Sequence, residues 1–185
     1  MSETIEPLSA APTAADLADL NALLRDVVEG GASIGFMRPL AEAEVAAFWS
    51  GVITGAAAGQ RLILVARDAG RIVGSAQLAF APLPNARHRA ELQKLLVLRA
   101  HRGRGLGSAL VHAAEAAALA LGRTLIVLDS GASGNALGLY ARCGYTRVGV
   151  IPRYAMDPNG PLIDTVIYYK ELAAIPPRDA LGKEI

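Results

Sequence analysis

Apolar and polar positions follow different rhythms along this chain, and each rhythm predicts an element. Leu17, Leu20, Leu24, Val27 and Val28 recur at helical spacing within residues 11–31. They predict a helix capped by Thr13 and ended by Gly30 and Gly31. A loop at ASIGFMRP leads to a second helix over 40–59. Residues 61–82 read as strand, Asp-Ala-Gly turn and strand, most simply a hairpin. After the loop PLPNARHR, the run AELQKLLVL predicts a strand over 90–98, and an alanine- and leucine-rich stretch without proline predicts a helix over 108–122. TLIVLDS (124–130) reads as a buried strand, and 131–145 as a short helix punctuated by glycine. Two last strands, over 146–151 and 163–172, flank a loop containing MDPNGP, and a short first strand fits 3–8. Residues 1–10 and 175–185 are expected to be peripheral tails.

The unit of strand 90–98, helix and strand 124–130 has the form of a right-handed crossover between parallel strands. The hairpins make other neighbours antiparallel. The expected fold class is therefore α/β (α+β), a mixed six- to seven-stranded sheet flanked by about four helices, in a single domain spanning 1–185.

Composition narrows the function classes. The chain has 185 residues, 52% hydrophobic and 19% charged, enough to bury a core and too apolar for a disordered segment. Lys plus Arg is 18 against 17 acidic residues, a balance that argues against a general nucleic-acid or anionic-membrane binder. Cys143 is the single cysteine, so neither an intrachain disulfide nor a cysteine-based zinc site is available. His88, His101 and His112 lack metal-ligand spacing, and no metal is expected. The opening MSETIEPLSA has no apolar core of a signal peptide, and no apolar run approaches the ~18 residues of a membrane span. A cytoplasmic location is expected, as a monomer or homodimer.

The stretch HRGRGLGSAL (101–110) lies between the strand at 90–98 and the long helix. Glycine costs conformational entropy and is placed where the backbone has a special demand. It is not a Walker loop, which needs GxxxxGK before Ser or Thr. It also misses the dinucleotide fingerprint, because Ser108 stands where the third glycine would be. What remains is Arg102-x-x-Gly105-x-Gly107, with Gly103, Arg104, Leu106 and Ser108 between and after. Backbone N–H groups of 103–108, aided by the helix dipole, would converge on an anion. The plainer alternative is a glycine-rich loop with solvated arginines.

After the next strand, Ala136, Tyr140, Gly144 and Tyr145 stand at the offsets of a second pattern. The two motifs together resemble the GNAT superfamily of acyl-CoA-dependent N-acyltransferases. There an R/Q-x-x-G-x-G/A turn binds the CoA pyrophosphate, and a later helix reads N-x-x-A-x-x-x-Y-x-x-x-G-F/Y. Ser133 replaces the usual asparagine, so Ser133 or Asn135 is the candidate polar contact to the pantetheine arm, beside Ala136. GGASIGFM (30–37), RAELQKLLVL (89–98), RGRGLG (102–107) and YTRVGVIP before Tyr154 are similar to tabtoxin-resistance acetyltransferases, which acetylate a small β-lactam amino acid. The resemblance implies a GNAT-like sheet, acetyl-CoA as co-substrate and a small-molecule primary amine as acceptor. It also implies that the backbone N–H of Leu95 or a neighbour (Leu96) faces the acetyl oxygen while Val97 pairs with the pantetheine amides.

Acetyl transfer from a thioester to an amine needs a held donor, a neutral amine, a polarised carbonyl and a protonated leaving thiolate. Tyr140 is the candidate acid, since a phenol with a pKa of about 10 stays protonated at neutral pH; the competing reading is a core aromatic. Two carboxylates compete to take the amine's proton. Glu91 lies four residues before Leu95, so strict strand alternation would put both side chains on one face. Asp129 ends the fifth strand, and the resemblance makes it a catalytic candidate. Phe36 and Trp49 are candidates to line the substrate pocket, with core packing as the other role for Trp49. Cys143 reads as a small buried residue. Two further functions stay open: a protein or peptide N-acetyltransferase, and a non-catalytic acyl-CoA sensor.

Overall fold

The computed structural model describes residues 3–132 and 136–172. Seven strands form one mixed sheet: β1 (Thr4–Pro7), β2 (Arg61–Asp68), β3 (Arg71–Phe80), β4 (Arg89–Val97), β5 (Leu125–Gly131), β6 (Thr146–Met156) and β7 (Leu162–Glu171). Their spatial order is β1-β2-β3-β4-β5-β7-β6. The helices are α1 (Ala14–Glu29), α2 (Glu42–Ala57), α3 (Leu106–Ala120) and α4 (Ala136–Arg142). This is the mixed sheet with four helices that the sequence predicts.

Local chemistry accounts for the boundaries. Thr13 and Asp16 form a capping box at the start of α1, with Asp16 N–H donating to Thr13 Oγ1 at 3.1 Å and Thr13 N–H to Asp16 Oδ2 at 3.0 Å. The buried face of α1 is Leu20, Leu23, Leu24, Val27 and Val28. Leu17, expected on that face, is 37% exposed in the first turn, and Leu23 takes its place. Ala69 and Gly70, both with positive φ, make the two-residue β2–β3 turn that matches the twist of a hairpin.

The sheet separates two cores. On one face α3 packs Leu110, Val111 and Ala114 against Val73, Leu78, Ala90, Leu92, Ile126 and Leu128. On the other, α1 and α2 cover Ile63, Val65, Ile72 and Leu96. Each fully buried leucine contributes about 1.5–3 kcal/mol relative to exposure.

Among the described residues the single parallel pair is β4 with β5, joined through α3, and it is short: Arg89–Glu91 match Leu125–Val127 and pairing then stops. Further along, the β3–β4 register shifts between Ser75 and Gln77, with Lys94 at φ +48. One extra residue on β4 thus makes a bulge and bends the strand. β4 and β5 have parted before the bulge, which leaves one backbone edge of β4 without a strand partner.

Candidate active site

The glycine turn sits at the end of β4. Gly103 (φ +76) and Gly105 (φ +87) occupy left-handed backbone, and Gly105 is the N-cap of α3. A Cβ on either would meet nothing within 4 Å, so their outer side is open for a ligand to approach. Leu106, 2% exposed, anchors the turn in the core. The first turn of α3 contains no acidic residue to oppose an anion at its positive end. Arg104 is exposed, and Arg102 donates from Nε to the Val97 carbonyl at 3.0 Å, tying the turn to the strand end. Gly107 lies inside α3 near Leu139 of α4, and Ser108 follows it half-buried.

Backbone direction in β4 follows from one hydrogen bond. Leu98 N–H donates to Val73 O at 2.9 Å, toward β3. Alternation gives Leu96 the same direction and turns the N–H and C=O groups of Leu95 and Val97 toward the gap. The Leu96 side chain is fully buried under α1 and α2, while Leu95 and Val97 pack against the α3 core.

The bulge corrects one expectation. Before it, Ala90 and Leu92 enter the α3 core, so Glu91 faces the other side. After it, Leu95 faces α3. Glu91 and Leu95 therefore lie on opposite faces, because Lys94 adds a residue to the count on which alternation depends.

Glu91 instead shares its face with Asp129. On β5, Ile126 and Leu128 enter the α3 core, which places Asp129 opposite. Asp129 is open to solvent on one side, yet the surrounding protein displaces enough of its hydration to raise its carboxyl above the ordinary range, and the Glu91 charge raises it further. Lys94 opposes both effects. Its ammonium faces Asp129 and Glu91 and donates to the Ile34 carbonyl at 2.6 Å, while burial lowers its own pKa. Lys94 was missed in the sequence. The one signal is a lysine interrupting the apolar run LQKLLVL; the bulge itself is defined only by pairing with β3.

Tyr140, near the end of α4, is 7% exposed and packs edge-on against Tyr145 at 5.8 Å and beside Tyr168 at 5.7 Å between centroids. Burial, with the Asp129 charge next in importance, pushes its phenol up to about 12. The helix that carries it is fixed at its C-terminal end by Lys170, whose ammonium donates to the Cys143 carbonyl at 2.7 Å and to Glu115 of α3 at 2.8 Å. Cys143 is buried in the α3 core.

Trp49 is 1% exposed, and its indole N–H donates to the Leu20 carbonyl at 3.0 Å. It belongs to the α1–α2 core and presents no face to a substrate, which corrects its pocket assignment. Phe36 is buried with it, edge-on to Phe48 at 5.1 Å, so it anchors the 31–40 segment rather than lining an open pocket. Ser133 and Asn135 lie outside the described residues; Ala136 opens α4.

The 31–40 segment reaches the β6–β7 tip through Ser33 Oγ, donating to Met156 O at 3.4 Å, and Arg38 N–H, donating to Pro158 O at 3.1 Å. A cavity of about 490 Å³ lined by Arg25, Glu29, Arg38, Pro39, Leu40 and Asn159 lies at this segment, and none of the candidate catalytic or cofactor-binding residues lines it. Among the described residues no helix is long and apolar enough to cross a membrane.

The family model described as "Acetyltransferase (GNAT) family" matches residues 32–145, which spans the bulged strand, the glycine turn and the tyrosine helix. The chain belongs to the GNAT acetyltransferase family. It is an acyltransferase by that membership, and solved structures share its fold. One is an N-acetyltransferase from Staphylococcus aureus Mu50, 20% identical, with 94% of this chain and 100% of that one covered at a TM-score of 0.77. Another is a ribosomal-protein-alanine N-acetyltransferase from Brucella melitensis, 24% identical, covering 91% and 99% at 0.75. A third is a phosphinothricin acetyltransferase from Sinorhizobium meliloti in complex with AcCoA, 24% identical, covering 92% and 89% at 0.75.

Proposed function

We propose that this GNAT protein transfers the acetyl group of acetyl-CoA to the primary amine of a small, amino-acid-like molecule by direct attack in a ternary complex. The observation that carries the reading is the convergence, where β4 and β5 diverge, of an unpaired backbone edge, an open glycine turn and a two-carboxylate cluster. Acetyl-CoA would supply the activated thioester.

The residues present fit that co-substrate. The turn from Arg102 to Ser108 would hold the pyrophosphate, with Gly103 and Gly105 allowing close approach and the α3 dipole adding about 0.3–1 kcal/mol per interaction. Val97 would pair with the pantetheine amides, and the N–H of Leu95 would polarise the acyl carbonyl. Fixed donors of this kind are worth roughly 2.7–4 kcal/mol in other enzymes. The pantetheine contact that the family motif assigns to that segment would fall to Ser133 or Asn135, beside Ala136.

Asp129 is the group that receives or orients the amine's proton, with Glu91 beside it. Its raised carboxyl supports this role, since a base works best when its pKa approaches the working pH. Tyr140 donates to the departing sulfur. At about 12 its phenol stays in the donor form throughout the physiological range, and its effect comes as a hydrogen bond strengthening while charge develops.

A small acceptor is favoured by the 31–40 segment, which is tied both to the sheet floor and to the β6–β7 tip. The phosphinothricin acetyltransferase of the same fold and the tabtoxin-resistance motifs point toward an amino-acid-like amine. The test is thiol release from acetyl-CoA across amines, amino acids and peptides. Turnover confined to small primary amines supports the proposal; turnover confined to peptides replaces the acceptor. Tight acetyl-CoA binding without turnover makes the protein a sensor.

A further inference from the structure

Lys94 carries no task in the reaction as described, yet the backbone is deformed to place it. A regular β4 would send Lys94 after Ala90 and Leu92 into the α3 core, where an ammonium has no partner. The left-handed backbone at Lys94 turns it instead to the face of Glu91 and Asp129. L-residues avoid that conformation, and such outliers gather at functional sites.

The ammonium meets two different structures there. Above it, Nζ donates to the Ile34 carbonyl at 2.6 Å. The next residue, Gly35, has φ +90, and a Cβ at that position would stand 3.3 Å from Nζ, so backbone geometry and space both suit glycine. Around it, the charged groups facing Lys94 are Asp129 on β5, Glu91 on β4 and the repelling Arg61 on β2. Other hydrogen bonds of the segment run to the β6–β7 tip, Ser33 to Met156 and Arg38 to Pro158, and to α1, Ala32 to Val27 and Arg38 to Glu29. Of all these hydrogen bonds, the one from Lys94 ties the segment to the sheet floor, beside the packing of Phe36.

We propose that Lys94 is the positioning residue of the acceptor side: one ammonium seats the 31–40 segment over the cleft and sets the charge environment of Asp129 and Glu91. Seating the segment and readying the carboxylates are thereby one event. The second half rests on the assignment of Asp129 and Glu91 to the amine.

Two measurements on Lys94→Met and Lys94→Arg test it. Amide hydrogen exchange over 32–37 becomes faster by about tenfold in Lys94→Met, the loss of one charge-assisted hydrogen bond, and stays near wild type in Lys94→Arg. The acidic limb of the pH–kcat/KM profile moves to higher pH in Lys94→Met, because burial and Glu91 then raise Asp129 unopposed. Lys94→Arg, which restores the charge, brings the limb back. Unchanged acetyl-CoA affinity reports that the cofactor side is folded, and Lys94→Gln replaces Lys94→Met if the latter does not fold. Wild-type exchange over 32–37 in the uncharged variant, or an unmoved acidic limb, overturns the proposal. Exchange needs no turnover, so a wild-type protein that acetylates no amine defeats the proposed function while the exchange result still decides whether Lys94 seats the segment.

Discussion

Tyr140→Phe keeps the packing ring among Tyr145 and Tyr168 and removes only the donor. We expect kcat to fall by about 10²–10⁴ with acetyl-CoA affinity little changed, the range of general-acid loss. A kcat within about twofold of wild type would give thiolate protonation to water or another group. Asp129→Asn asks the matching question of the base. In the wild type, activity should rise with pH as Asp129 deprotonates, at a pH above the ordinary carboxylate range because burial and Glu91 hold its proton on. Asp129→Asn should lose kcat by about 10²–10⁴ together with that acidic limb, whereas Glu91→Gln should mainly raise KM. Full activity and an unchanged profile in Asp129→Asn, with Glu91→Gln inactive, would exchange the two roles. The types of these residues were legible in the sequence. Their grouping was not: the β4–β5 register brings Glu91 to the face of Asp129, and the inserted residue at Lys94 takes Leu95 off that face.

Among the elements, the turn before α3 carries the binding prediction. Gly105→Val forces a β-branched residue into left-handed backbone and fills the open side of the turn. Acetyl-CoA affinity should weaken by at least about tenfold while the far-UV circular dichroism is retained; unchanged affinity would place the cofactor elsewhere. The tie between α1 and the sheet predicts stability instead. Asp19, 5% exposed, accepts the Ile72 N–H at 3.0 Å and pairs with Arg71, which hold its carboxyl below the usual range. A depressed carboxyl stabilises the fold above the unfolded-state value and loses that contribution as pH falls through the native one. Asp19→Asn should therefore cost about 1–3 kcal/mol in urea unfolding at neutral pH and less in acid. Equal losses at both pH values would show that the charge is not what matters.

At the scale of the whole molecule, the hairpins, the helices and the crossover through α3 were legible because periodicity and turn chemistry act locally. Two features were not. The bulge at Lys94 exists only against its partner strand β3. The continuation of β6 to Met156, beyond the expected end at Ile151, passes Pro152 and the left-handed Arg153. An edge strand tolerates a proline, and Arg153 N–H is satisfied by the Asp164 carboxylate at 2.8 Å. The core role of Trp49, one of the two the sequence offered, is the one the assembled α1–α2 layer takes, where the Leu20 carbonyl accepts its indole N–H. In the proposed reading these pieces build a cleft with a donor side at the glycine turn and an acceptor side at the carboxylates. The most direct measurement of that claim is identification of the acetylated product by mass spectrometry, with labelled acetyl-CoA and equal amounts of small primary amines and a lysine-bearing peptide offered together. The account predicts label on the amine nitrogen of a small molecule, one thiol released for each acetyl transferred, and loss of both in Asp129→Asn. Label on the peptide alone, or no labelled product while acetyl-CoA binds tightly, would contradict it.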